Sequence, residues 1–181
     1  MGKLVAMVGL ACAAAWYYFV GGAKLDEDMV RQFYVEEAHA TLARKPEALC
    51  ALMSSKLVVT QETRVLGQTN TETLNKKQAC EAQHQAFQQF KEMGDKADAM
   101  LTIEYDYTID SIDISPNRKQ AVVQVSNTLK MGGQLMQFRT ASTDQLRREW
   151  GMVKIAKADS KTQVQMHLAG MQDPAKYLQS R

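Results

Sequence analysis

Proline, cysteine and histidine are scarce in this chain of 181 residues, with three of each. So few cysteines exclude a disulfide-dense scaffold. His39, His84 and His167 stand apart, without an HExxH or CxxC companion. The spacing that builds a metal centre is missing, and neither metal nor cofactor is expected. Charge of one sign is also lacking: 22 Lys and Arg face 20 Asp and Glu, a formal net charge of +2. A dedicated nucleic-acid binder gathers a basic excess on one face, so that class is set aside. There is no internal repeat, no low-complexity block, and no long hydrophobic run beyond residue 23. What remains, 45% hydrophobic and 23% charged, is the composition of a folded domain, and the length suits one rather than two.

The apolar content is concentrated at the amino terminus. Between Lys3 and Lys24 lie twenty uncharged residues, LVAMVGLACAAAWYYFVGGA. As a helix they reach about 30 Å, the thickness of a hydrocarbon core. Two readings stay open for residues 1–23. One is a retained transmembrane anchor with Trp16, Tyr17 and Tyr18 at the interface. The other is a secretory signal peptide with Gly21-Gly22-Ala23 as its small-residue cleavage site. Lys3 before the segment and Asp26, Glu27 and Asp28 after it keep the positive end in the cytoplasm. Residues 24–165 are then expected as a periplasmic domain, exported or held in the inner membrane by residues 4–23. Residues 166–181, polar and interrupted by Pro174, read as a tail. Cys12 lacks a lipoprotein box, and Ala6 stands where a myristoylation signal needs Ser or Thr.

Outside the leader only Cys50 and Cys80 remain. In an oxidising compartment they form a candidate disulfide closing thirty residues, worth roughly 3–4 kcal/mol in the chain-entropy model. The alternative is two small buried thiols.

Hydrophobic periodicity orders the rest. A helix opens at Asp26 or Asp28 and runs to about Ala43; a second spans Pro46 to about Ser54, with proline suited to its first turn. Leu57 to Val65 reads as a strand and Gly67–Asn70 as a loop. A third helix, capped by Thr71 or Thr73, covers about Leu74 to Met93 and stops at Gly94. From Leu101 to Ile109 the odd positions are apolar or aromatic and the even ones polar, a strand with one wet face. The parity flips at Ser111, because Ile112 and Ile114 are even, which predicts a bulge. Ser115–Arg118 is a turn, Ala121–Met131 a strand, Gly132-Gly133 a two-residue hairpin signal, and Gln134–Arg148 and Met152–Gln165 the last strands. The class is α+β: about three amino-terminal helices packed on a strongly bent antiparallel sheet. Such a sheet curled around a long helix leaves a cone with a pocket at its wide mouth.

The order of elements, with Tyr34-Val35-Glu36, Pro46-Glu47-Ala48-Leu49-Cys50-Ala51-Leu52-Met53, Leu57-Val58-Val59 and the closing Arg147-Arg148-Glu149-Trp150-Gly151-Met152-Val153-Lys154-Ile155, resembles the nuclear transport factor 2-like superfamily. That superfamily includes ketosteroid isomerases and polyketide-cyclase-like enzymes. The resemblance covers about Asp28 to Thr162 and implies a conical α+β domain, often a homodimer, but no single function. It also implies roles. Tyr34 matches the first-helix tyrosine that serves the isomerases as oxyanion donor. The position of their proton-abstracting aspartate falls on Gln61, and an amide has no lone pair basic enough for that task. Glu62 substitutes only if the register shifts by one, which sends it to the other face.

Geometry adds further candidates. Glu37 falls about 20° from Val30 on the helical wheel, inside the apolar arc with Phe33 and Tyr34. A carboxylate there faces a cavity or a buried partner, or else reaches Arg44 or the sheet edge. Asn127 shares its strand face with Val123, Val125 and Leu129; Asp144 shares its own with Phe138 and Leu146, unless pairing fails around Thr140–Asp144. Tyr105 and Tyr107 read first as packing aromatics, and also line the expected pocket. Two functions follow. The first is a non-catalytic envelope domain binding a protein partner or small hydrophobic ligand through the cone mouth or sheet face. The second is a small isomerase, lyase or hydrolase with Tyr34 as proton donor and Glu37 or Asp144 as base.

Overall fold

The computed structural model describes residues 24–96, 102–133 and 135–166, together with Gly9. Asp26 starts the first helix: its Oδ1 accepts the Met29 amide at 2.9 Å, and Glu27 and Asp28 complement the positive end of the helix dipole. This helix, α1 (Glu27–Leu42), buries Val30, Phe33, Tyr34, Ala40 and Thr41 along one side. Arg44 takes a left-handed φ of 55° and breaks the helix, and Pro46 opens the short α2 (Pro46–Ala51). The strand β1 (Met53–Val65) begins earlier than periodicity indicates, within the segment expected to finish α2.

One strand is missing from the sequence reading. β2 (Gln68–Asn75) occupies the supposed loop and the start of the third helix. Its sequence, QTNTETLN, is polar but for Leu74 because it is an edge strand, exposed at nearly every position, so no alternation betrays it. Leu66 and Gly67, at φ 48° and 83°, close the β1–β2 hairpin, and glycine supplies the left-handed residue at least cost. The third helix, α3 (Lys76–Lys96), is capped by Asn75 rather than Thr71 or Thr73. Asn75 Oδ1 accepts the Gln78 amide at 3.1 Å while Gln78 Oε1 accepts the Asn75 amide at 3.0 Å, a reciprocal capping box. The helix passes through Gly94 instead of stopping there.

Four strands follow: β3 (Ile103–Ile114), β4 (Gln120–Met131), β5 (Met136–Glu149) and β6 (Met152–Met166). The register of β3 on β4 shifts between Ile109 and Ser111, the bulge predicted from the parity flip. Gly132 and Gly133 do turn with positive φ, but pairing resumes only at Met136, so the loop is longer than two residues. The sheet order is β2-β1-β6-β5-β4-β3. Every neighbouring pair is antiparallel except β1 and β6, which run parallel, so the sheet is mixed rather than wholly antiparallel.

α1 packs on β3 and β6, while α3 packs on α2, β1 and β2. The core lies under α1, where Leu25, Val30, Phe33 and Tyr34 meet Ala121, Val123, Val125 and Leu146. Each large apolar side chain buried there contributes about 1.5–3 kcal/mol. Leu25 is tied to the β3–β4 turn by its amide to Arg118 O at 2.7 Å and by Arg118 Nε to its own carbonyl at 2.8 Å. Cys50 and Cys80 are joined in a disulfide, with Cα atoms 5.5 Å apart, that staples α2 to α3. Among the described residues no helix is long and apolar enough to cross a membrane. Apart from Gly9, the leader expected at residues 4–23 lies outside the described residues, as do the tail beyond Met166 with His167, and Leu101 and Gln134.

Candidate functional site

Register decides which side chains share the inner face. Strand by strand, Ile112, Val123, Asp144, Ala158 and Val59 form one row across the sheet. The next rows toward the far end are Ile109–Val125–Ser142–Ser160–Gln61, then Tyr107–Asn127–Thr140–Thr162–Thr63, then Tyr105–Leu129–Phe138–Val164–Val65. Asp144 therefore sits on the apolar floor, and regular pairing continues through it. The alternative in which the Thr140–Asp144 segment loses its pairing does not occur.

Tyr34 reaches that floor from α1. Its hydroxyl donates to Asp144 Oδ2 at 2.9 Å, and Ser142 Oγ donates to Asp144 Oδ1. Tyr34 is 1% exposed and Asp144 5%. Burial pushes the Asp144 carboxyl above the usual carboxylate range, and the hydrogen bonds from Ser142 and Tyr34 pull it back part of the way. Burial, with the carboxyl of Asp144 at its side, drives the Tyr34 phenol far up, so it stays protonated and acts as a donor. Tyr34 stacks on Tyr107 with ring centroids 6.0 Å apart, and Tyr107 is followed by Tyr105 at 6.3 Å.

Glu37 lies one turn beyond Tyr34. It is half-buried. Neither the Arg44 ion pair nor any other ion pair or hydrogen bond holds it among the described residues; Arg44 lies over the Phe90 ring, 4.9 Å from its centroid. Desolvation, then the proximity of Asp144, pushes the Glu37 carboxyl up to about 8. Burial also raises the Tyr105 phenol, and both Glu37 and Asp144 act on it. The structure thus brings Tyr34, Glu37, Tyr105, Tyr107 and Asp144 into one interior cluster, with Asn127 in the row of Tyr107. Gln61 is inward but set apart on β1, where its amide donates to Thr63 at 3.0 Å. Glu62 belongs to the opposite face.

Sequence reasoning missed Ser142, since a lone serine in a strand carries no signal until its neighbour at i+2 proves to be a buried acid. It also missed Ser54, fully buried near the narrow end. Ser54 receives Arg147 Nη2 at 2.7 Å and donates to Glu149 Oε1 at 2.8 Å, while Arg147 Nε faces the same carboxylate as an ion pair without hydrogen-bond alignment.

Other concavities are present. One, about 690 Å³, is lined by the charged Glu62, Arg64, Asp106, Arg139 and Lys161 and also touches Tyr107 and Asn127. Another, about 740 Å³, opens between α1, α2 and the β5–β6 hairpin, against Met29, Phe33, Leu52 and Met152. Among the described residues no group of three or more His, Cys, Asp or Glu could hold a metal ion.

No family model matches the sequence, and no curated protein does. Solved structures do match. A conserved protein from Planctomyces limnophilus is 19% identical with a TM-score of 0.57, over 78% of this chain and 98% of that one. A nuclear transport factor 2-like protein of unknown function from Pseudomonas putida is 12% identical at a TM-score of 0.53, over 75% and 84%. A ketosteroid isomerase-like protein from Erwinia carotovora is 11% identical at 0.50, over 76% and 98%. At such identities the likeness is one of fold.

Proposed function

From the premise that residues 24–166 carry the nuclear transport factor 2-like cone, we propose that the chain is a non-catalytic binding domain of the bacterial envelope that takes a small hydrophobic ligand at the wide end of the cone. The observation that carries this reading is the contrast along the inner face. At the floor, Tyr34, Ser142 and Asp144 satisfy one another and are closed to solvent, so the phenol proton and both carboxylate oxygens are already engaged. A general base needs a free lone pair within hydrogen-bond reach of the substrate. Toward the mouth, Tyr105, Leu129, Phe138, Met131 and Met136 point inward yet stay half-exposed, an apolar lining still reachable by solvent. The envelope location draws on the apolar segment 4–23 and on the Cys50–Cys80 bridge, which persists in oxidising compartments.

The test uses Nile red, a neutral apolar dye. The native chain should enhance its fluorescence several-fold, and Phe138→Ser should remove most of that gain without altering the far-ultraviolet circular dichroism. Robust turnover of small carbonyl or polyketide-like compounds, abolished by Tyr34→Phe, would sink the non-catalytic reading. The enzymatic alternative is favoured by one observation, Glu37, an acid holding its proton near neutrality beside Tyr34 and Asp144. In that reading Glu37→Gln also abolishes turnover.

A further inference from the structure

The end of the domain opposite the mouth carries apolar surface that neither the core nor the mouth uses. β5 and β6 pair as far as Glu149 and Met152, so Trp150 and Gly151 form a two-residue hairpin loop, at φ 54° and 82°. Such a loop favours Asn or Asp followed by Gly, and a bulky aromatic in the left-handed region is strained. Nothing in the turn itself calls for tryptophan, and strain of this kind persists where the side chain serves another purpose. The Trp150 residue is 77% exposed and Met152 55%. The concavity against Met29, Phe33, Leu52 and Met152 continues this apolar surface toward α1.

The place of this tip in the chain identifies its partner. Arg148 Nε donates to Gly151 O at 3.0 Å and its Nη1 to Lys24 O at 3.3 Å, so one guanidinium ties the tip to the residue that follows the apolar segment 4–23. Leu25, the next residue, is fully buried and bonded to Arg118, which leaves no slack between segment and domain. Twenty apolar residues match the hydrocarbon thickness, which sets Lys24 and the groups bonded to it at the level of the lipid headgroups. Tryptophan suits that level, its apolar body toward the acyl chains and its N–H toward water. We propose that the β5–β6 tip, Trp150 with Met152, is a membrane-surface contact, seated among the headgroups of the bilayer that residues 4–23 span. The inference rests on the envelope location proposed above, with that segment retained as an anchor, and is independent of the ligand. The 14 residues of β5 separate the tip from Met136 at the mouth, about 45 Å of extended chain. The mouth therefore opens at the end remote from the bilayer.

The experiment reconstitutes the full chain in vesicles of phosphatidylcholine and phosphatidylglycerol, with and without bromine on the acyl chains. The chain has two tryptophans, so Trp16→Phe leaves Trp150 as the only one. Its emission should fall about twofold in brominated vesicles, and acrylamide should quench it about threefold less than free N-acetyltryptophanamide. The native chain minus Trp150→Phe reads the same contribution a second way, so a poorly inserting Trp16→Phe protein does not spare the proposal. A chain that floats with the vesicles while Trp150 ignores bromine and stays open to acrylamide overturns the contact and leaves the anchor standing. Shielding from acrylamide without quenching by bromine assigns the tip to a protein surface, a second copy included, and overturns the contact equally. If the chain does not float with the vesicles, anchor and contact both fail. Each of these outcomes is separate from the Nile red result at the mouth.

Discussion

Glu37 makes stability depend on pH in a direction opposite to that of an ordinary paired carboxylate. Its carboxyl is raised from 4.5 to about 8 in the folded chain, so between those values the folded state binds a proton that the unfolded state has lost. Stability from this group is therefore fully present below pH 4.5 and is lost as the pH climbs through 8. Each pH unit inside the window removes up to 1.36 kcal/mol, giving a loss of about 3 kcal/mol between pH 5 and pH 8. That is a large share of the roughly 5–15 kcal/mol that holds a domain together. The measurement is a series of urea unfolding curves at pH 5, 6, 7, 8 and 9 for the native chain and for Glu37→Gln. The amide cannot titrate, so the native-minus-variant difference should fall by about 3 kcal/mol from pH 5 to pH 8 and then level off. A constant cost of burying the amide shifts the whole difference and leaves its slope intact. A difference that stays flat across the series would refute the placement of Glu37 in a desolvated interior beside Asp144.

Tyr34→Phe removes one of the two donors on a buried carboxylate and should cost about 1.5–3 kcal/mol at pH 7, less in acid, where Asp144 is protonated. Thermal melts should show it as a drop of several degrees; a change within error would mean the pair is not closed as described. Replacing both Cys50 and Cys80 by serine should lower stability by about 3 kcal/mol and make the chain indifferent to reductant. Equal sensitivity to reductant in the native and double-serine chains would contradict the bridge.

Much of the fold was legible because the inner face of the sheet obeys simple periodicity. Alternation from Ile103 to Ile109 and its reversal at Ile112 located both β3 and its bulge, and strand parity placed Asp144 and Asn127 on the inner side. The helical wheel put Glu37 among Phe33 and Tyr34 for the same reason. β2 escaped because a strand wet on both faces has no period to read, and the hydrogen bonds that hold it are made by backbone, which sequence does not record. The parallel pairing of β1 with β6 escaped as well: nothing in Leu57–Val65 or Ile155–Val164 names its neighbour across some hundred residues of chain. The contact of Ser54 with Arg147, across 93 residues of chain, depends on that same long-range register.

The seam between β1 and β6 divides the domain into two parts of unlike folding economy. On one side, β3 to β6 form a meander of hairpins with α1 packed on it; on the other, α2, β1, β2 and α3 form a locally connected unit closed by Cys50–Cys80. Every strand pairing within each part is between sequence neighbours, and only the seam joins strands from opposite ends of the chain. Among the strand pairings, loop-closure entropy is concentrated on that one line, and the docking of α1, as in the Tyr34–Asp144 contact, adds the other long-range closure. The disulfide lies entirely on one side of it, so oxidation locks the smaller part without fastening the two together. The seam is the line along which sub-global opening would separate the two parts, a prediction that amide hydrogen exchange on β1 and β6 checks.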